Sequence, residues 1–192
     1  MERRFSVLVG DITVSRAQAI VNASDEALSG GGGVDAAIHA AAGPELAAAC
    51  AALAPCPTGE VRLTPGFRLA AEYVIHTAGP VWQDGKHGEP ALLAACYRNA
   101  LRLCEERGIE TVDFPSISTG VFRYPAALAA AVAEKTIVEH LRAHALPDED
   151  AVDDVVDRRS RHGHDGGKGI LRQQSPHRGF AEDIELFHYF SE

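Results

Sequence analysis

The sequence predicts an α/β protein built in layers, and three observations carry that reading. Short, continuous apolar runs with β-branched residues recur along the chain. Stretches with a single helical apolar stripe lie between them, and glycine-rich or small-residue loops follow several of the runs. An apolar run without polar alternation is the pattern of a strand buried on both faces. Strands that alternate with such helices form a sheet covered by helices.

The first run is "FSVLV" at residues 5–9, closed by Gly10 and Asp11, and "AIVNAS" begins at Ala19. "EYVIHTA" from Glu72 and "ETVDFPSI" from Glu110 repeat the pattern. "VDAAIHAAAG" reads as a helix with Asp35 near its start. "EPALLAACYRNALRLCEERG" sets Leu93, Cys96, Ala100 and Cys104 on one stripe and closes at Gly108, a C-cap residue. "YPAALAAAVAEKTIVEHLRAH" sets Ala130, Ala133, Ile137 and Leu141 on another, with Pro125 in its first turn.

The order breaks near Pro147. Residues 148–157 hold six acids, and residues 158–179 hold six Lys or Arg, one Asp and three His. With few apolar residues, the stretch at 158–179 reads as a mobile linker or tail. "DIELFHYF" near the end is apolar enough to dock back as a strand or a helix. The expected organisation is a core at residues 1–147 and an atypical C-terminal segment at 148–192, with a docked element at 183–190.

Composition narrows the function. With 192 residues, 46% of them hydrophobic, the chain has the length and apolar content for one domain with a sizeable core. A formal net charge of −9 argues against bulk nucleic-acid binding. It leaves room for an anionic ligand held by backbone N–H groups, which carry no formal charge. No apolar stretch reaches membrane-spanning length, and no export signal is evident at the N-terminus. The four cysteines, Cys50, Cys56, Cys96 and Cys104, form no CxxC pair. Reduced thiols in a cytoplasm are therefore expected, with no membrane partner, no cofactor and no metal.

Ligands of α/β folds sit where loops leave the carboxyl ends of strands. Here four glycines at residues 30–33 lead into the helix that carries Asp35. Such a turn aims several N–H donors at one point, and the helix dipole adds to them, which makes a phosphate cradle. A flexible loop with Asp35 as an N-terminal cap explains the same residues. The loop matches neither the P-loop nor the dinucleotide pattern, since no Lys-Ser/Thr follows and Val34 and Asp35 break the second spacing. "STGVF" at residues 118–122 is a second small-residue turn before a helix. Its hydroxyls and N–H groups can clasp the same anion, or it is ordinary turn chemistry. Two such loops suit a diphosphate. Asp11 can accept from an exocyclic amine or cap a helix. Asn22 can stitch neighbouring loops, His39 can face the same ligand one turn after Asp35, and His76 reads as a structural histidine.

Taken together, "GDIT", "AIVNAS", "LSGGGGVDAAIHAAAG", "CPTGEVRLTPGF", "YVIHTAGP" and "FPSISTGVFRYP" resemble the macrodomains, and within them the MacroD-type ADP-ribosyl hydrolases. The resemblance spans residues 5–145, with the motifs in order. It implies a three-layer α/β/α sandwich with a mixed central sheet and a cleft for ADP-ribose. It also implies hydrolysis of ADP-ribose esters: mono-ADP-ribosyl-aspartate or -glutamate on proteins, and O-acetyl-ADP-ribose. The alternative is a module that binds ADP-ribose without turnover, for which an acid at position 35 is not needed.

Carried over by position, Asp11 holds the adenine amine beside the Ile12 N–H. Asn22, Gly31, Gly32, Gly33 and Val34 belong to the substrate-binding set, the glycines and Val34 at the pyrophosphate and distal ribose. Ser118, Thr119, Gly120, Val121 and Phe122 close over the diphosphate, with Phe122 on the distal ribose, and Asp35 is the catalytic acid. The family pattern Asn-Ala-Ala-Asn reads Asn22-Ala23-Ser24-Asp25 here. Asp25 thus stands at the distal ribose as a second candidate catalytic carboxylate. It accepts hydrogen bonds, cannot donate them, and adds negative charge near a diphosphate.

Overall fold

The computed structural model describes residues 4–144 and 183–188. Six strands form one mixed sheet in the order β1-β6-β5-β2-β4-β3. They are β1 (Arg4–Val9), β2 (Ala19–Ser24), β3 (Val61–Pro65), β4 (Tyr73–Ala78), β5 (Thr111–Pro115) and β6 (Asp183–His188). The expected strands are all present. The edge strand β3, half-polar in sequence, is an addition, and it runs antiparallel to β4 while every other pair is parallel. Among the described residues four α-helices cover the sheet: α1 (Val34–Ala42), α2 (Pro44–Leu53), α3 (Glu89–Arg107) and α4 (Ala126–Ala143).

Period-two alternation sends neighbours in each inner strand to opposite layers, which is why the runs are apolar throughout. Ile20 of β2 and Val74 of β4 pack with Ile38, Leu46 and Cys50 of α1 and α2. Val21 and Ile75, one residue on, pack with Leu93, Tyr97, Leu101 and Ile137 of α3 and α4. This is the three-layer α/β/α sandwich.

The α3 stripe lies as the spacing predicts, and Gly108 caps the helix in the left-handed region at φ 66°. The α4 stripe holds at Ala133, Ile137 and the partly buried Leu141, and differs at its start. Ala129, Ala133, Thr136 and Ile137 are buried while Ala130 is exposed, and Pro125 is the N-cap residue, just before the first turn. Periodicity gives a stripe its width, and contact with α3 sets its phase.

The apolar segment near the end is a strand, and it lies inside the sheet, paired in parallel with β1 on one side and β5 on the other. The expected core boundary at residue 147 is therefore not where the sheet closes, because its second strand in spatial order comes from beyond it. The linker at 158–179 and the rest of 148–182 lie outside the described residues. Among the described residues, no single helix is long and apolar enough to cross a membrane.

Candidate functional site

Three loops leave the carboxyl ends of neighbouring strands on one side of the sheet: residues 25–33 after β2, 79–88 after β4 and 116–125 after β5. They enclose a cleft of about 500 Å³. One wall is Asp25, Gly31, Gly32, Gly33 and Val34, with Asp35 behind them. The opposite wall is Ser118, Gly120, Val121 and Phe122. Ala23, Ser24, Gly79 and Ser116 complete it.

The glycine loop has a conformation that side chains oppose. Gly30 and Gly33 lie at φ 74° and 60°, in the left-handed region. A Cβ on Gly30 would also stand 3.0 Å from the His39 ring, which supports the loop from below. The loop therefore turns directly into α1, and Val121, 78% exposed, rims the cleft on the other side. In that second loop Ser118 has φ 68° and Arg123 φ 56°. Such conformations cost on the order of 1–3 kcal/mol each and persist only when neighbours enforce them. Here Tyr124 N–H donates to the Ser118 carbonyl at 2.9 Å, and Trp82 N–H, from the loop after β4, donates to the Phe122 carbonyl at 2.9 Å. The Ser118 hydroxyl is buried and has no hydrogen-bond partner among the described residues.

Asp35 is 3% exposed, and both carboxylate oxygens are held. Gly31 N–H donates to one at 2.8 Å, and the Asn22 amide donates to the other at 2.8 Å. His39 Nε2 stands 3.5 Å from the second oxygen. Behind Asn22 the polar chain continues. Its amide nitrogen is 3.1 Å from His76 Nδ1, and His76 Nε2 is 2.9 Å from the Thr64 hydroxyl. An amide NH₂ only donates, so His76 accepts at Nδ1 and carries its proton at Nε2. Burial, with added repulsion from His39, lowers the His76 pKa to about 4 and keeps the ring neutral. Cys50 borders the same chain at 3.7 Å from His76 Nε2. Burial and the Asp35 charge push its thiol up to about 11, which rules it out as a thiolate nucleophile near neutral pH.

Asp25 is placed differently from Asp35. One oxygen accepts from Ser29 N–H at 3.0 Å and the other from the Ser29 hydroxyl. Partial burial works against its charge. Hydrogen bonds from the Ser29 hydroxyl and from the N–H groups of Ser29, Ala27 and Leu28 nevertheless hold the carboxyl below the ordinary carboxylate range. Asp25 is thus an ionised clasp for the loop as well as part of the cleft wall.

Four residues of the expected set are not on the cleft walls. Asn22 is fully buried in β2 and reaches the cleft only through Asp35. Asp11 caps the 3-10 turn Ile12–Val14, accepting from Thr13 N–H at 2.9 Å. Ile12 is fully buried in the core beneath that turn. The Thr119 hydroxyl donates to the Ser116 carbonyl within its own turn. His39 likewise faces Asp35 and the underside of the glycine loop. Conversely, the sequence reading missed Ala23, Ser24, Gly79 and Ser116 as wall residues and Thr64 as the end of the polar chain. Gly79 had a signal, a glycine at the end of a buried strand. Thr64 had none.

Beyond Asp25, Gly79 and Phe122 a second hollow of about 520 Å³ continues from the cleft, bounded by Glu26, Thr58, Val81, His87 and Glu89. Burial opposes the Glu89 charge, but N–H groups of Glu89 itself, His87, Gln83 and Gly85 bring its pKa down to about 2.

A three-layer sandwich with a backbone-lined cleft over the carboxyl ends of its strands, and an acid at its base, defines a class of anion-binding α/β domains. The chain belongs to one family within it: the Macro domain model matches residues 21–133. A Macro domain-containing protein of Lactiplantibacillus plantarum is 60% identical over 131 residues, 68% of this chain and 76% of the relative. A protein of Escherichia fergusonii named O-acetyl-ADP-ribose deacetylase is 48% identical over 153 residues, 78% of this chain and 86% of the relative. Among solved structures, the Oceanobacillus iheyensis macrodomain with ADP superposes with a TM-score of 0.75 at 36% identity, over 96% of this chain and 82% of that one. The Trypanosoma brucei macrodomain in complex with ADP-ribose does so with 0.75 at 32% identity, over 97% and 64%.

Proposed function

We propose that this macrodomain binds ADP-ribose and hydrolyses its esters, O-acetyl-ADP-ribose and mono-ADP-ribosyl-Asp or -Glu on proteins. The observation that carries the reading is the Asp35 carboxylate, fixed by Gly31 N–H and the Asn22 amide beside a cleft walled by main chain. Support comes from the relative named as a deacetylase and from the neighbours solved with ADP and ADP-ribose.

In this reading the N–H groups of residues 32–34 and 120–122 hold the diphosphate. The Ser118 hydroxyl, buried without a partner among the described residues, donates to a phosphate oxygen. Phe122 and Asp25 flank the distal ribose, and the acyl group points into the second hollow beyond them. Asp35 takes a proton from the attacking water as oxygen bonds to the ester carbonyl. The acyl–oxygen bond then breaks, the proton passes to the leaving ribose oxygen, and ADP-ribose and a carboxylic acid are released. Asp11, exposed at the end of β1, serves the adenine amine.

The test is turnover of O-acetyl-ADP-ribose and of a mono-ADP-ribosylated acidic protein, with ADP-ribose binding by titration calorimetry. Asp35→Ala is expected to keep ADP-ribose binding and to lose hydrolysis by about 10²–10⁴-fold. Binding by the wild type without turnover leaves a non-catalytic binding module. Absence of binding rejects both.

A further inference from the structure

On the far side of the molecule from the glycine loop, the end of α3 meets the last turns of α4, and three metal-binding side chains converge there. His140 lies in the last turn of α4 and His144, four residues on, is its C-cap residue. Glu105 of α3 faces them. One donor atom from each of the three lies within 4.8 Å of the other two. His140 Nε2 is 2.7 Å from Glu105 Oε1, and His144 Nδ1 is 3.6 Å from the same oxygen. The imidazole rings stand 4.4 Å apart.

An ion pair between Glu105 and His140 is the plainest account of the short contact, but it leaves two features unexplained. The contact is not aligned as a hydrogen bond: Glu105 Oε1 is buried and accepts none among the described residues. A second imidazole is also gathered at the same oxygen, and two protonated rings at this separation repel each other. His144 Nδ1 lies 2.8 Å from the His140 carbonyl. A carbonyl only accepts, so Nδ1 carries the hydrogen and Nε2 keeps the lone pair. Donation of one ring N–H to a backbone carbonyl is the usual way a protein orients a histidine for a metal.

We infer that Glu105, His140 and His144 form a binding site for a divalent metal ion of the zinc class, separate from the cleft. Two imidazole nitrogens and one carboxylate oxygen are a known zinc donor set, completed by water. Tetrahedral bonds of about 2.0–2.1 Å put donor atoms roughly 3.3 Å apart; the 2.7 Å between His140 Nε2 and Glu105 Oε1 is shorter than that, and an ion between the two would ease the contact. Binding displaces the His140 Nε2 proton to solvent and leaves the carboxylate as the charged ligand. The ion would tie α3 to α4 at the point where the chain leaves α4 on its way to β6.

The test uses the full chain, stripped with chelator and titrated with Zn²⁺, and with Co²⁺ as a spectroscopic probe. One equivalent of Zn²⁺ is expected to bind with micromolar or tighter affinity, and Co²⁺ to give the visible bands of a four-coordinate nitrogen and oxygen site. Zinc at about 100 times Kd should raise Tm by roughly 5–10 °C. His140→Ala and His144→Ala should each weaken binding at least tenfold, and Glu105→Gln should shift the cobalt spectrum. Circular dichroism checks that each variant folds. No binding by the wild type at 100-fold molar excess overturns the site. So does stoichiometric binding that survives in the folded His140→Ala/His144→Ala double variant, because the metal would then sit elsewhere.

Discussion

Two carboxylates at the cleft carry the same formal charge and do different work. Asp35 is fixed from behind by Asn22 and from the loop by Gly31. Asp25 spends both oxygens on Ser29. That difference bears on what Asp25 does. Asp25→Asn keeps an acceptor for Ser29 N–H and removes one negative charge from the wall of an anion cleft. ADP-ribose is therefore expected to bind more tightly, by about 1 kcal/mol in a partly solvated site, read by titration calorimetry. Single-turnover rates on the same variant decide its role. A rate at or above wild type makes Asp25 a loop clasp, and a fall despite tighter binding makes it a second catalytic carboxylate. Weaker binding would defeat the repulsion argument.

At the scale of elements, the cleft depends on how closely the loops after β4 and β5 approach each other. Gly79 stands at their contact. A Cβ there would collide with the Ser118 hydroxyl and lie 2.7 Å from Ile117 Cγ2. Gly79 sits just past a buried strand, so the backbone has little room to retreat. Gly79→Ala is expected to push residues 116–122 outward. It should destabilise the fold by about 1–3 kcal/mol, the usual cost of overpacking, measured by urea unfolding, and weaken ADP-ribose binding in the same protein. An unchanged unfolding midpoint would show that the loop yields without cost. The four buried, free cysteines belong to the same scale: Cys96 and Cys104 fill the α3 stripe, as their spacing indicates, and Cys50 packs from α2 against the sheet.

Two expectations concern the whole molecule. The first is acid sensitivity. The folded state binds a proton at His76 only near pH 4, whereas the unfolded chain does so near 6.5. Stability from this group is therefore complete above about pH 6.5 and declines as pH falls toward 4, by roughly 3 kcal/mol. Urea unfolding at several pH values should show that slope, and His76→Gln should flatten it. A wild-type slope in the variant would assign the loss to other groups. The second is the need for the C-terminal strand. β6 supplies backbone partners to both β1 and β5. A chain ended at residue 147 leaves β1 without a neighbour and opens β5 as an edge. It is expected to fail as a cooperatively folded monomer by circular dichroism and size-exclusion chromatography. A sharp transition at the wild-type Tm would show that the sheet closes without β6.

What the sequence determined by itself was local. Apolar runs marked the strands β1, β2, β4 and β5, and a glycine marked the end of α3. Four glycines before Asp35 marked a turn in which main chain, not side chain, lines the cleft. Each of these is written into a short stretch as periodicity or as a demand for positive φ. The antiparallel edge strand β3 was not legible as a strand, since its half-buried pattern is weak. The structure decided what depends on register. Asn22 and His76 are opposite each other because β2 and β4 pair in parallel at that position. That pairing turns two residues 54 positions apart into the support of Asp35. It also explains why Asn22 lies behind the acid and not on the cleft wall. The place of β6 between β1 and β5 is of the same kind. Its sequence shows only that the segment is apolar, and the choice of neighbours is made by the hydrogen-bonding edges that the rest of the sheet leaves open.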